Sequence, residues 1–248
     1  IEDLPLGFDY NVTAFLDANG NGIRDENDVF SEYDSNPVHL VTDAREINLV
    51  LGDPDVSDDL TISSGLLAWY PFDGNASDMS GNGHHGTVFG ATLTEDRNGE
   101  HGKAYFFDGS DDFIDLGSNP VFNSFPLTVG VWVKSNGNSG ESGIVSKYRA
   151  ASWNGWQIME QEDKIVPWYI RSHGQRIIGN YGEPKAFETV LQSPEKWNHL
   201  ICVFDEDGGR IYLNGSLQDT KAWTGDPSAP TASHGLYVGR YQGAGSGF

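Results

Sequence analysis

Twelve residues near the start of the chain place oxygen-bearing side chains at the spacing of a calcium-binding loop. Residues 17–28 carry side-chain oxygens at loop positions one, three, five, nine and twelve. A glycine stands at position six, where the chain must turn sharply, and position seven supplies a backbone carbonyl. Ca²⁺ takes six to eight oxygen ligands and needs carboxylates to balance its charge. The predicted ligands are Asp17, Asn19, Asn21, Ile23, Asp25 and Asp28.

The segments around this loop predict a small β unit over residues 1–52. Residues 8–16 alternate as a strand that enters the loop, and residues 38–41 and 47–51 predict two more strands. The unit resembles the C-terminal half of the small β-sandwich repeats of large bacterial surface and secreted proteins, with an EF-hand-like or dockerin-like calcium loop. An EF-hand would have a helix before the loop and a dockerin would repeat it, so no cohesin partner is predicted. A turn without metal is the alternative.

After a polar, turn-rich linker at residues 53–63, residues 64–248 show short strands with period-two alternation and no helical period. This pattern predicts an all-β sandwich. The stretch also resembles the laminin G-like jelly roll of the concanavalin A-like lectin/glucanase superfamily, which implies a concanavalin-like jelly-roll sandwich and a lectin-like function. The motifs that carry the resemblance lie at residues 67–74, 78–86, 105–114, 197–204, 210–215 and 236–240.

The resemblance also implies a second calcium site. In similar proteins the aspartate of an Asp-x-Ser-Gly-Asn turn contributes to a structural calcium site, which here corresponds to Asp78, aided by Asn82 and Asp73. A hydrogen-bonded turn that closes the first hairpin is the alternative. The neighbouring His84 and His85 point to opposite faces of a strand, so zinc is not predicted.

Three aspartates in a turn between two predicted strands, Asp108, Asp111 and Asp112, have a simpler interpretation. Aspartate side chains in turns accept hydrogen bonds from backbone N–H groups, so turn capping is predicted and calcium binding is the alternative.

Composition limits the partners of the chain. Its 248 residues have a formal charge of −21, which repels nucleic acid and anionic membranes and is compatible with cation sites or with solubility alone. The single cysteine, Cys202, excludes an intrachain disulfide and a cysteine-based zinc site, and its apolar neighbours predict a buried thiol. No apolar stretch reaches the length of a transmembrane helix.

Carbohydrate recognition requires exposed aromatic rings flanked by polar side chains, because sugars stack on ring faces and form hydrogen bonds through their hydroxyls. The candidates are Tyr148, Arg149, Trp153, Trp168, Arg171 and Trp223. Burial in the core is the alternative for each loop tryptophan. Trp69, Trp132 and Trp197 lie in apolar strands and are predicted to be core residues.

Catalysis is not predicted. Retaining glucanases of this fold carry a Glu-x-Asp-x-x-Glu motif on one strand face, with the carboxyl pair about 5–5.5 Å apart. Glu160, Glu162 and Asp163 come nearest to this spacing, but they end a strand at a polar turn. Other hydrolase motifs do not occur.

The sequence therefore predicts a non-catalytic, calcium-stabilised lectin-like module of a larger secreted or cell-surface bacterial protein. A structural or adhesive protein–protein interaction domain is one alternative, and an accessory domain of a polysaccharide-degrading enzyme is another. The resemblance further implies one more strand beside residues 66–72 than this sequence contains. The strand predicted at residues 66–70 would then have unpaired backbone groups along one side, and a partner chain or a longer natural chain would complete the sheet beside residues 66–72.

Overall fold

The computed structural model describes residues 13–16, 29–32, 65–135, 140–161, 164–172, 174–178, 187–191 and 195–241. The chain divides into two compact units, Ile1–Ser64 and Gly65–Phe248. The boundary falls next to the residues predicted as a linker.

The first unit contains an antiparallel strand pair. Strand β1 (Thr13–Leu16) overlaps the end of the strand predicted over residues 8–16, and it pairs with β2 (Val29–Glu32), which the sequence analysis did not predict. The predicted calcium loop at residues 17–28, with all six of its ligands, lies outside the described residues. The predicted strands at 38–41 and 47–51 do so as well.

The second unit is all-β and antiparallel. In chain order its strands are β3 (Thr87–Phe89), β4 (Thr92–Glu95), β5 (His101–Phe106), β6 (Phe113–Asp115), β7 (Leu127–Val133), β8 (Glu141–Arg149), β9 (Asn154–Gln161), β10 (Lys164–Ser172), β11 (Gln175–Ile177), β12 (Thr189–Val190), β13 (Asn198–Asp205), β14 (Gly208–Leu213), β15 (Ser216–Lys221) and β16 (Tyr237–Val238). Helical structure in the described part is confined to two short 3₁₀ turns, Pro120–Asn123 and Ala150–Ser152. No helix among the described residues is long and apolar enough to cross a membrane.

Two sheets pack face to face, so the predicted jelly-roll sandwich is confirmed. The larger sheet has the order β11-β10-β9-β8-β16-β6-β3, with β12 also paired to β10, and the smaller sheet has the order β15-β14-β13-β7. Strands β4 and β5 form a separate hairpin. Period-two alternation places the core between the sheets: along β13, Leu200, Cys202 and Phe204 are buried and their neighbours are partly exposed. Burial raises the pKa of the Cys202 thiol, as expected of a structural cysteine.

The central strands of the larger sheet are buried on both faces. In β10, Ile165 and Tyr169 belong to the core between the sheets, whereas Val166, Trp168 and Ile170 point the other way. The latter join a second apolar group, the outer cluster, whose buried members are Tyr148, Met159, Val166, Trp168, Ile170, Ile178 and Tyr241.

Two tryptophans predicted as core residues are instead exposed, so that prediction was wrong. Trp132 is 42% exposed and Trp69 is 50% exposed. Strand alternation explains Trp132, because the inward positions of β7 belong to Leu127 and Val133 and the tryptophan falls on the opposite face. Its ring stacks on His199 at 4.8 Å. Trp197, the third of the set, is half-buried.

Residues 66–72 form no strand. Leu67 and Phe72 pack against the core, while the Trp69 N–H donates to the Asp78 carboxylate and the Trp69 carbonyl accepts from the Met79 N–H. No strand in the described part of the chain forms a ladder with this segment, so the strand expected at residues 66–70 is not confirmed, and the missing neighbouring strand stays a prediction.

Candidate functional site

The first predicted site in this unit is centred on Asp78, which is a hydrogen-bond hub. Its Oδ1 accepts from the N–H groups of Trp69 at 3.0 Å and Ser80 at 2.9 Å, and its Oδ2 accepts from the His84 N–H at 2.9 Å. Burial by itself would raise the pKa of this carboxyl, but the hydrogen bonds from Ser80, Trp69 and His84 outweigh burial and lower the pKa to about 2. The ionised carboxylate therefore closes the turn.

Asp73 and Asn82 have separate hydrogen-bonding roles. Asp73 accepts from the Lys103 ammonium at 2.5 Å on the surface, and the Asn82 amide donates to the carbonyls of Leu66 and Leu67. These contacts match the hydrogen-bonded turn that the sequence left as the alternative. Calcium binding by Asp73, Asp78 and Asn82 stays a prediction, and the observed geometry of the turn does not require it.

The turn at Asp108, Asp111 and Asp112 is capped as predicted. Asp112 accepts from the Asp108 N–H at 2.9 Å, and Asp108 accepts from the Ser110 N–H at 2.8 Å. One carboxylate oxygen from each of the three aspartates lies within 4.8 Å of the others. Such a set of hard oxygen donors has the chemistry that Ca²⁺ prefers.

Among the predicted ligand-binding residues, Tyr148 and Trp168 are buried, with 1% and 6% of their surfaces exposed. The prediction that they form an exposed ring surface was wrong, because both belong to the outer cluster, where their rings meet edge to face at 5.5 Å. Trp223 is half-buried at the edge of the core. Its indole N–H donates to the Asp205 carbonyl at 2.8 Å, and its ring packs edge-on against Tyr169.

The other three predicted residues, Arg149, Trp153 and Arg171, lie at one end of the larger sheet, where Trp153 packs against the outer cluster. In the ladder between β8 and β9, Arg149 pairs with Asn154. In the ladder between β9 and β10, Gly155 pairs with Ile170, which places the preceding Asn154 beside Arg171. We call this group, completed by Thr231, the arginine rim: Arg149, Trp153, Asn154, Arg171 and Thr231.

Thr231 holds the rim together. Its hydroxyl oxygen accepts from the Asn154 amide at 2.9 Å and from the Arg171 guanidinium at 3.2 Å, and its N–H donates to the Asn154 side-chain oxygen at 2.8 Å. Arg149 is exposed, and the half-buried Trp153 has a positive φ of 46°, which is rare for a bulky residue. The sequence analysis missed Asn154 and Thr231, because Thr231 lies 77 residues from Asn154 in the chain.

Further cationic groups lie behind the rim. Lys147 is completely buried and donates to the His234 carbonyl at 2.7 Å. Burial lowers the pKa of Lys147, and burial together with the positive charges of Lys147 and Arg149 lowers the pKa of His234. The lowered pKa values favour the neutral forms of these two groups, so the charge of the rim comes from Arg149 and Arg171.

A cleft of about 580 Å³ lies at the opposite end of β9. It contains Glu160, which is 1% exposed and accepts from the Ser135 hydroxyl at 2.9 and 2.7 Å through its two oxygens. We call it the acidic cleft, because its lining includes the carboxylates of Glu95, Asp96, Asp108 and Glu160 and a single cationic side chain, Lys134.

Comparison with known protein families yields one match. The family described as concanavalin A-like lectin/glucanases superfamily (Laminin_G_3) matches residues 108–248, which is more than half of the chain. The matched region includes the arginine rim. No curated protein matches the chain.

Solved structures resemble the chain at low sequence identity. The structure of HCR/D-Sa-GBL1/C is 15% identical, with 71% of this chain and 43% of that chain covered and a TM-score of 0.51. A structure from work on cell entry of botulinum neurotoxin type C, dependent on two ganglioside molecules, is 15% identical, with coverages of 70% and 42% and a TM-score of 0.47. Domain 4 of AbnA, a GH43 extracellular arabinanase from Geobacillus stearothermophilus, in complex with arabinotriose, is 21% identical, with coverages of 69% and 82% and a TM-score of 0.45. This chain spans less than half the length of the first two.

Proposed function

Because the chain belongs to the concanavalin A-like lectin/glucanase superfamily, we propose that Gly65–Phe248 is a non-catalytic carbohydrate-binding module. A fold family hosts many ligands, so the proposal depends on a site rather than on the fold. The observation that carries it is the placement of Arg149, Asn154 and Arg171 at one end of the larger sheet, with Trp153 directly before Asn154 in the chain.

The arginine rim offers the groups that a sugar needs. The Trp153 ring supplies an apolar face for the C–H groups of a pyranose or furanose. The planar guanidinium groups of Arg149 and Arg171 supply several donors in a fixed geometry for hydroxyl or carboxylate oxygens. Because Thr231 already holds Arg171 and Asn154 in place, little side-chain entropy is lost when a ligand binds.

A glycan array followed by titration calorimetry tests this site. Trp153→Ala should weaken binding of any glycan found on the array by about tenfold or more, since a lost ring contact costs about 1–3 kcal/mol. Trp132→Ala is the matched control, because Trp132 is an exposed tryptophan of the other sheet. A blank array, or equal binding by both variants, would contradict the proposal.

Calcium is part of the proposal. Residues 17–28 have the spacing of a calcium loop, and Asp108, Asp111 and Asp112 offer three clustered carboxylates. Bound Ca²⁺ would cross-link the oxygen ligands within each loop and offset part of the negative charge. We also place the module in a secreted or cell-surface bacterial protein, since millimolar calcium outside the cell suits sites of modest affinity.

The absence of hydrolysis is likewise proposed rather than observed. Glu160, the carboxylate nearest to the glucanase pattern, is buried and has the Ser135 hydroxyl on both of its oxygens. Glu162 and Asp163 lie outside the described residues.

A protein–protein interaction role is a second candidate, favoured by an open edge of the core. Strand β7 pairs with β13, and the inward Val129 and Val131 of β7 are only partly buried. Residues 66–72 pack on the same core without a ladder. The outer edge of β7, the last strand of the smaller sheet, lies beside this half-covered core and favours pairing with a strand from a partner or a neighbouring copy. Sedimentation that shows a monomer at every concentration would contradict pairing between copies.

A further inference from the structure

The acidic cleft lies where the two sheets separate. Strand β7 ends at Val133, opposite the start of β13 at Asn198, and β9 ends opposite the start of β8. Residues from both sheets and from the β4–β5 hairpin line the cleft, so its walls are built on paired strands. Its volume of about 580 Å³ falls within the range of small-ligand sites.

Aromatic rings and a buried carboxylate face this space together. Tyr105, Phe106 and Trp197 line it, and the Tyr105 ring is held edge-on against Phe72 at 5.3 Å. Phe106 is 49% exposed. Glu160 is oriented by the Ser135 hydroxyl, so its carboxylate has a defined position in the wall.

The charges of the lining restrict the ligand. Among the described residues that line the cleft, Glu95, Asp96, Asp108 and Glu160 are acidic and Lys134 is cationic. The backbone N–H of Glu100 and other hydrogen-bond donors lower the pKa of Asp96, so this group is ionised at neutral pH. The resulting field repels anions. Carboxylates accept hydrogen bonds from the hydroxyl and ammonium groups of a ligand. Aromatic side chains pack against the apolar face of a ligand ring.

We propose that the acidic cleft is a second sugar site, selective for neutral or amino sugars and closed to acidic sugars. The inference rests on the proposed carbohydrate-binding function but concerns a different site, because Glu160 and the arginine rim lie at opposite ends of β9. The two sites differ in charge, since the rim is cationic and the cleft is acidic.

The experiment uses the full chain and three disaccharides of similar size: diglucosamine, its neutral N-acetylated form and digalacturonate. Calorimetry and saturation-transfer NMR should show that the first two bind and that digalacturonate binds at least tenfold more weakly at the cleft. Glu160→Gln should weaken binding of diglucosamine by about tenfold, because the wall of the cleft loses a negative charge near the ammonium groups of the ligand.

Phe106→Ser provides a second variant that does not disturb the core, and Leu217→Ser is its control, with a similarly exposed side chain on β15. The first should weaken binding and the second should not. Binding that survives Trp153→Ala and is lost in Glu160→Gln and Phe106→Ser supports the cleft. Binding that is lost in Trp153→Ala alone overturns the cleft and leaves the proposed function standing. Equal binding of digalacturonate by the Trp153→Ala variant, or no binding of any disaccharide with Trp153 intact, also overturns the cleft.

Discussion

Replacing Asp78 with asparagine tests the account of the first turn most directly. The carboxylate accepts from three backbone N–H groups, those of Trp69, Ser80 and His84. An asparagine side chain presents one oxygen and one NH₂ group, so at least one of the three N–H groups would face another donor. The side chain is 4% exposed, and water does not easily replace the lost bond.

The lowered pKa of Asp78 gives the size of its contribution to the stability of the fold. Hydrogen bonding lowers the pKa of Asp78 to about 2, against about 3.9 for a free aspartate. A difference of about two units corresponds to about 2–3 kcal/mol of stability from the charged form. Because the folded pKa is the lower one, this contribution is complete above about pH 5, falls by about half near pH 3 and is nearly lost below about pH 2.

Urea unfolding of the wild type and Asp78→Asn should therefore differ by about 2–3 kcal/mol at pH 7 and by much less near pH 2. Asp73→Asn is the control, because its ion pair with Lys103 lies on the surface, where solvent and salt screen it. The reasoning is refuted if Asp78→Asn is neutral at pH 7, or if its effect is unchanged in acid. An effect that appears only with calcium and vanishes in EDTA would instead indicate a metal ligand.

Three further predictions concern metal, catalysis and packing. Calcium should raise the free energy of unfolding by about 3 kcal/mol at a hundredfold excess over its Kd, as measured by calorimetry with and without EDTA, and an unchanged melting curve would contradict the loop at residues 17–28. The chain should release no reducing sugar from common polysaccharides, and turnover that disappears in Glu160→Gln would overturn this assignment. Trp156→Phe should lower the free energy of unfolding by about 1–3 kcal/mol, because the buried indole N–H donates to the Phe122 carbonyl at 2.7 Å. Trp132→Phe should leave the free energy of unfolding nearly unchanged. The reverse order in urea unfolding would show that the tryptophan positions are wrong.

Fold class was accessible from the sequence because strand alternation is local. The period-two pattern of residues 198–205 predicts which side chains face the core, and the structure buries Leu200, Cys202 and Phe204 accordingly. The same rule would have placed Trp132 outside. The apolar neighbours of Trp132 suggested burial. However, Trp132 lies between Val131 and Val133, which face the core, so alternation puts its side chain on the outer face.

The outer cluster could not be predicted in this way. Alternation indicates that Trp168 and Tyr148 lie on the face away from the core, but it does not indicate that apolar neighbours cover that face as well. Coverage depends on elements distant in sequence: the backbone at Arg240 and Tyr241 passes so close to Gly143 that a Cβ there would lie 2.3 Å from the Arg240 carbonyl group.

By itself the sequence determined the all-β sandwich, the turn-capping aspartates and the buried cysteine, because alternation and turn chemistry act between residues close in the chain. Only the tertiary structure decided which candidate residues share a site. It placed Arg149 and Arg171 in one rim through strand register and Thr231, and it placed Glu160 and Ser135 in one cleft from two sheets. Such groupings arise from long-range pairing, whose partners a local pattern does not specify.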